Sequence, residues 1–392
     1  VKRLSLIFIF MLFMSISAYG MDQDNGNLIT EDMILGQLQN MNTGDLERII
    51  NQINGETENY FPKIDLREGI RSLIRGESSL TLRDTLNGLF KYLFKEIVAN
   101  SMLLIRLIVL AIICAFLSNL SNAFESNAVG KLAYMVCYLV IIAIAIQSFS
   151  IATAVGIAVI NDMVLFMQAL LPLLLTLLMA MGGITSSALF QPVIIAAVST
   201  ISTLMKDIVM PIIFFSAILS IVNNLSSRIH VSKLASLLKQ ACVVLLGFTL
   251  TVFIGIITIQ GVAASTTDGV TIRTAKFAVD RFIPVVGGFI SEAVDAIVGC
   301  SLLLKNAIGA LGLFALAFIV LMPLLKIFSL IVIYKIAAAI IEPITDSQLV
   351  SCLNDMSGSL VLIFATVLSV AVMFFMAVTV IVGAGNLTLM MR

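Results

Sequence analysis

The stretch VANSMLLIRLIVLAIICAFLSNL, residues 98–120, decides the fold class. It holds one charge, Arg106, and no alternation of apolar and polar positions. About 20 consecutive apolar residues wound as a helix cover the ~30 Å of hydrocarbon in a bilayer. A barrel strand would alternate with period two. Comparable runs follow near 132–155, 160–181, 187–206, 208–224, 241–263, 303–322, 324–343 and 359–384. The chain is therefore read as an all-α, polytopic helical integral membrane protein. Pro172, Pro192, Pro211 and Pro323 lie inside these runs and mark kinks or breaks that a neighbouring helix or a cavity must satisfy.

Composition agrees. Of 392 residues, 60% are hydrophobic and 12% charged, with a mean hydropathy of +1.10. Soluble domains run nearer ~45–50% apolar and ~25% charged. The 23 basic residues balance 23 acidic ones, so nothing points to a nucleic-acid partner. Cys114, Cys137, Cys242, Cys300 and Cys352 sit in or beside apolar runs without a CxxC spacing, and read as small buried hydrophobes. His230 is the only histidine, which argues against a zinc site or a histidine-dependent triad. No GxxxxGK[ST] phosphate loop occurs, so ATP hydrolysis by this chain is not expected. No metal, cofactor or enzymatic activity is expected.

Upstream of residue 98 the character changes. Lys2 and Arg3 precede an apolar run and the small residues Ala18 and Gly20, the pattern of a signal peptide over 1–20. Residues 21–96 then form an exported segment. It is acidic at first (Asp22, Asp24, Glu31, Asp32, Asp45, Glu47) and mixed later (Arg67, Arg71, Lys91, Lys95). Apolar residues recur there at helical spacing, as in Leu46, Ile49, Ile50 and Ile53. These amphipathic faces are expected on the membrane surface or against a partner.

One pattern occurs twice. Met210-Pro-Ile-Ile-Phe-Phe-Ser matches Met322-Pro-Leu-Leu-Lys-Ile-Phe-Ser, and Ser232-Lys-Leu-Ala-Ser-Leu-Leu matches Ser347-Gln-Leu-Val-Ser-Cys-Leu. A duplication follows. First transmembrane helices occupy 97–162, one membrane repeat 163–264 and a second 265–392. Arg228, His230, Lys233 and Lys239 place the first matched loop in the cytoplasm by the positive-inside rule. The second loop carries Asp346 and Asp355 without a basic residue, which permits the outside. Opposite sides would make the repeat inverted, an architecture of many transporters. That count needs a re-entrant hairpin near 280–300, turned by Pro284, Gly287 and Gly288.

Charges at membrane depth are costly and tend to face a cavity or a partner. The candidates for pore or cavity lining are Arg106, Glu292, Asp295, Lys305, Lys335 and Glu342. Glu292 and Asp295 share a helix face, as do Lys335 and Glu342 two turns apart. A polar path between the repeats is one reading; an interfacial helix with a solvated acidic face serves Glu292 and Asp295 equally well. No pair of groups has the spacing of a hydrolytic site.

The leader, the acidic exported segment, and the stretches GGITSSALFQPVIIAAVST (182–200) and DRFIPVVGGFISEAVDAIVGCSLLLKNAIG (280–309) together resemble the stage III sporulation protein AE family of endospore-forming bacteria. The resemblance implies a membrane component of the channel, or feeding-tube, apparatus between mother cell and forespore, needed for forespore development. It implies ring-forming membrane proteins and a separate cytoplasmic ATPase as partners, and the mother-cell membrane facing the forespore as the location. It supplies no catalytic residues. Three readings stand: a channel or export-gate subunit, a self-contained secondary transporter for a small solute, and a membrane scaffold.

Overall fold

The computed structural model describes residues 31–39, 41, 43–57, 65–74, 82–123, 128–225, 231–282, 286–345 and 347–390. The signal-peptide stretch, Pro284 and Asp346 lie outside them. Four short helices come first: α1 (Glu31–Gln39), α2 (Gly44–Thr57), α3 (Leu66–Ile74) and α4 (Leu82–Ala99). Long helices follow: α5 (Ser101–Ala123), α6 (Ala128–Ala180), α7 (Ile184–Leu204), α8 (Met210–Leu225), α9 (Ser232–Phe282), α10 (Val286–Ile341) and α11 (Ser347–Met390). A π-helical turn, Met205–Val209, joins α7 to α8 without a break.

Six stretches among the described residues are long and apolar enough to cross a membrane. The sequence suggested nine, and the difference is three fusions. The runs 132–155 and 160–181 form the single helix α6, and 303–322 with 324–343 form α10; 187–206 and 208–224 are joined by the π turn. Pro172 and Pro323 sit inside α6 and α10 without ending them. Proline removes one donor, but packed neighbours make this tolerable in apolar surroundings. With 53 and 56 residues, α6 and α10 are about 80 Å long, well beyond one hydrocarbon layer.

Contacts fix the directions. Tyr138 donates to the Asn224 carbonyl at 3.1 Å, and Phe149 stacks on Phe214 with ring centroids 5.8 Å apart, so α6 and α8 are antiparallel. Ser216 donates to the Ala235 carbonyl at 3.1 Å and the Cys242 thiol lies 4.0 Å from the Val209 carbonyl, so α8 and α9 form an antiparallel hairpin. Lys305 meets Val382, and Phe328 faces Phe364 at 6.2 Å, which makes a second such hairpin from α10 and α11. At one end of the bundle, called here the loop end, Lys239 of α9 meets Asp355 of α11 at 3.2 Å. At the other, distal end, Gly261 of α9 packs against Val380 of α11. Helices α9 and α11 are therefore parallel.

This geometry corrects the inverted repeat. Both matched serine-leucine segments lie at the loop end, side by side, joined by the Lys239–Asp355 ion pair. The two hairpins have the same sense, so a duplication here is a parallel one, a form also known among transporters. The re-entrant hairpin is corrected too. Helix α9 runs on to Phe282, α10 starts at Val286, and Gly287 and Gly288 belong to the first turn of α10. The count that required a re-entrant segment was built on opposite loop locations, and it falls with them.

The α6–α7 connection at the distal end is tight. Gly183 donates to the Leu178 carbonyl and Gly182 to that of Met179, each at 2.9 Å. Gly182 has φ 89°, the left-handed conformation that ends helices in this pattern and favours glycine.

Helix α11 is the core element. Leu353, Leu360, Val367, Phe374 and Val378 have no exposed surface, and it packs on α6, α8, α9 and α10. Helices α1–α3 lie along the distal half of α10. Ile34, Leu38, Ile50 and Ile70 are buried in the common core, Gly69 packs against Leu311, and Gln37 reaches Ser301. The amphipathic faces read as covering a membrane surface or a partner thus cover the chain's own longest helix. Asp65 caps α3, its carboxylate accepting from the Arg67 and Glu68 N–H groups at 2.8 and 3.0 Å.

Candidate functional site

The six charges singled out from sequence do not converge. Arg106 on α5 is exposed, as are Asp295 near the start of α10 and Lys335 near its end. Glu342, also exposed, follows the last turn of α10, its N–H donating to the Ala338 carbonyl at 2.9 Å. Glu292 lies in α10, and its side chain is outside the described ones. Asp295 and Lys335 belong to one helix and stand about 60 Å apart along it. They do not share a path. The face common to Lys335 and Glu342 points away from the bundle, beside the exposed Ile336 and Ile340.

Lys305 is different: it is 0% exposed. Its Nζ donates to the Val382 carbonyl of α11 at 2.8 Å. Gly309 allows that reach, because a Cβ there would run into the Val382 side chain. One turn before Lys305, Ser301 Oγ accepts from the Gln37 amide at 2.7 Å. The Gln37 carbonyl oxygen is buried without a partner among the described residues. A lysine, a serine and a glutamine thus pin α1, α10 and α11 together at the distal end. Arranged so, they can hold helices in register; no carboxylate lies within ion-pair distance of Lys305 among the described residues.

Sequence reasoning missed the polar site at the loop end. Its cavity of about 170 Å³ is lined by Ser220 and Asn223 of α8, Ser232, Ser236 and Lys239 of α9, and Asp355 of α11. Lys239 donates to one Asp355 oxygen at 3.2 Å and the Asn224 amide to the other at 3.0 Å. The signal was present in the two matched segments: Lys239 and Asp355 sit near their ends. Only the assumption of opposite sides hid their pairing.

A further polar level crosses the bundle midway, where Lys206 in the π turn donates to Asn161 of α6 at 3.1 Å. The turn itself has a local cause. Met210 donates back to the Met205 carbonyl, five residues away, and Pro211 next to it has no N–H to give. No grouping of three or more metal-ligating side chains occurs among the described residues.

The family model for stage III sporulation protein AE matches residues 64–385. The protein named Stage III sporulation protein AE of Bacillus subtilis (strain 168) is 44% identical over 323 residues, covering 82% of this chain and 81% of that one. No solved structure matches. The matched region takes in both hairpins, the long α6 and α10, and the core helix α11 down to its last turns, and on that span the chain belongs to the stage III sporulation protein AE family.

Proposed function

We propose that this protein is a membrane subunit of the channel apparatus between mother cell and forespore, a channel or export-gate component that works inside a larger complex. The carrying observation is the centre of the bundle. Helix α11 fills it with buried apolar side chains, and its buried Ser359, Thr366 and Ser369 hydroxyls turn back onto carbonyls of their own helix, which supports a single chain without a continuous polar passage along α11 among the described residues. A conduit is then formed between this chain and other subunits. Family membership supports the sporulation role. Ring-forming membrane proteins and a separate cytoplasmic ATPase are the partners in this reading, and the chain itself needs no catalytic chemistry.

The orientation belongs to the proposal. The loop end, with Lys233 and Lys239, faces the cytoplasm. The distal half of α10, clothed by α1–α3, faces the outside. The secondary-transporter reading rested on the repeat and on charges at membrane depth. A parallel repeat is still compatible with a transporter, but the dispersed charges give that reading no shared polar path.

Affinity purification from sporulating cells is the direct test. Recovery of other membrane proteins of the apparatus, with no solute uptake by the purified chain in proteoliposomes, is the expected result. Ion-gradient-driven uptake by the chain alone would overturn the subunit reading in favour of the transporter.

A further inference from the structure

The loop-end cavity is lined by hydrogen-bonding groups that its own walls leave unused. Asp355 is satisfied on both oxygens, by Lys239 and Asn224. Lys239 spends one of its three N–H bonds on that pair. The Ser220, Ser232 and Ser236 hydroxyls and the Asn223 amide make no hydrogen bond among the described residues, yet all four line the cavity. Ser220 is only 4% exposed, while Ser232 and Ser236 are exposed at the cavity mouth. A hydroxyl as buried as that of Ser220 nearly always has a partner. Ser232 also opens α9, where the first N–H groups of a helix lack intrahelical acceptors and carry the positive end of its dipole.

We infer that this cavity is a binding site for a small oxyanion of the phosphate class. Lys239 keeps two N–H bonds, each hydroxyl and the Asn223 amide can turn a donor inward, and the one lining carboxylate is already paired, so a tetrahedral oxyanion, an acceptor on every side, fits the lining. With its carboxylate neutralised, Asp355 acts as the group that holds Lys239 in place. The cavity volume of about 170 Å³ is well above the ~10–15 Å³ that one water needs. The site lies between the two hairpins, on α8, α9 and α11, so an occupant ties the matched halves together at one end. A free phosphate and a phospholipid headgroup offer the same chemistry there.

The test uses the full chain. In detergent, sodium phosphate replaces sodium chloride at constant ionic strength and pH, while the thermal midpoint and the phosphate ³¹P linewidth are followed. In a second arm the chain is held in nanodiscs of phosphatidylcholine with or without phosphatidylglycerol. A saturable rise of about 2–5 °C in the midpoint is expected in one arm. Response to free phosphate assigns a soluble oxyanion; response only to phosphatidylglycerol assigns a headgroup. Lys239→Gln should abolish the response. Since that change also breaks the ion pair, Ser220→Ala with Ser236→Ala is the second variant; it keeps Lys239–Asp355 and should weaken binding about tenfold. No response in either arm means that the cavity holds water only, and overturns the inference. An equal rise in wild type and both variants would reflect a general salting effect and overturn it too.

Discussion

At the scale of single residues, a charge in an apolar run was legible and its direction was not. Lys305, Lys335 and Asp295 stand out in the sequence for the same reason, yet only Lys305 is buried. Helix α10 is apolar on every side, so no stripe marks its inner face. Lys305 has one carbonyl as its partner and a long aliphatic stem in the core. Replacing a buried charge by a hydrophobe of similar shape is often neutral or stabilising by ~1–4 kcal/mol, whereas truncation leaves a cavity costing ~2–5 kcal/mol. Lys305→Met should therefore keep or raise the thermal midpoint in detergent, and Lys305→Ala should lower it. A fall with both would show that the charge itself holds α10 to α11. The second residue-scale expectation concerns Gly309, whose Cβ position is already taken by Val382. Gly309→Val should cost ~1–3 kcal/mol through overpacking, read as lost abundance in the membrane.

Among elements, helix type and the apolar runs were read from sequence, while their continuity was not. Bilayer thickness suggested cuts at ~20 residues, but Pro172 and Pro323 bend or interrupt a hydrogen bond without stopping a helix that is packed on its neighbours. The matched segments were legible too, but their relative direction was decided by tertiary contacts, Lys239 to Asp355 at one end and Gly261 to Val380 at the other. Single cysteines at Ser232 and Ser347 should accordingly react with a membrane-impermeant thiol reagent from the same side. Cys114, Cys242, Cys300 and Cys352 are buried, and the partly exposed Cys137 is replaced by serine to keep the background low. Reaction from opposite sides would undo the parallel arrangement of α9 and α11. Charge exchange checks the same pair. Lys239→Asp and Asp355→Lys should each destabilise, and the double exchange should recover ~1 kcal/mol, the modest coupling of a partly exposed pair.

For the whole molecule, class and approximate span content followed from composition, but the use of the N-terminal segment did not. Residues 31–74 have too few apolar side chains for a core of their own, and the structure lends them one by laying α1–α3 on α10. Limited proteolysis of the purified chain should leave that region intact, and Gly69→Phe, which forces α3 away from Leu311, should open it to cleavage. Unchanged resistance would mean that these helices are held by something other than α10. A different consequence follows from the place of α11 in the bundle. The helix that every major neighbour leans on is the last of the described helices to leave the ribosome. At ~5–20 residues per second its 44 residues take ~2–9 s to make. Through that interval α6, α8, α9 and α10 are already synthesised and lack their common partner. Biogenesis of this protein is thus a wait, and a chain cut short before Ser347 is a substrate for membrane quality control however intact its other helices are.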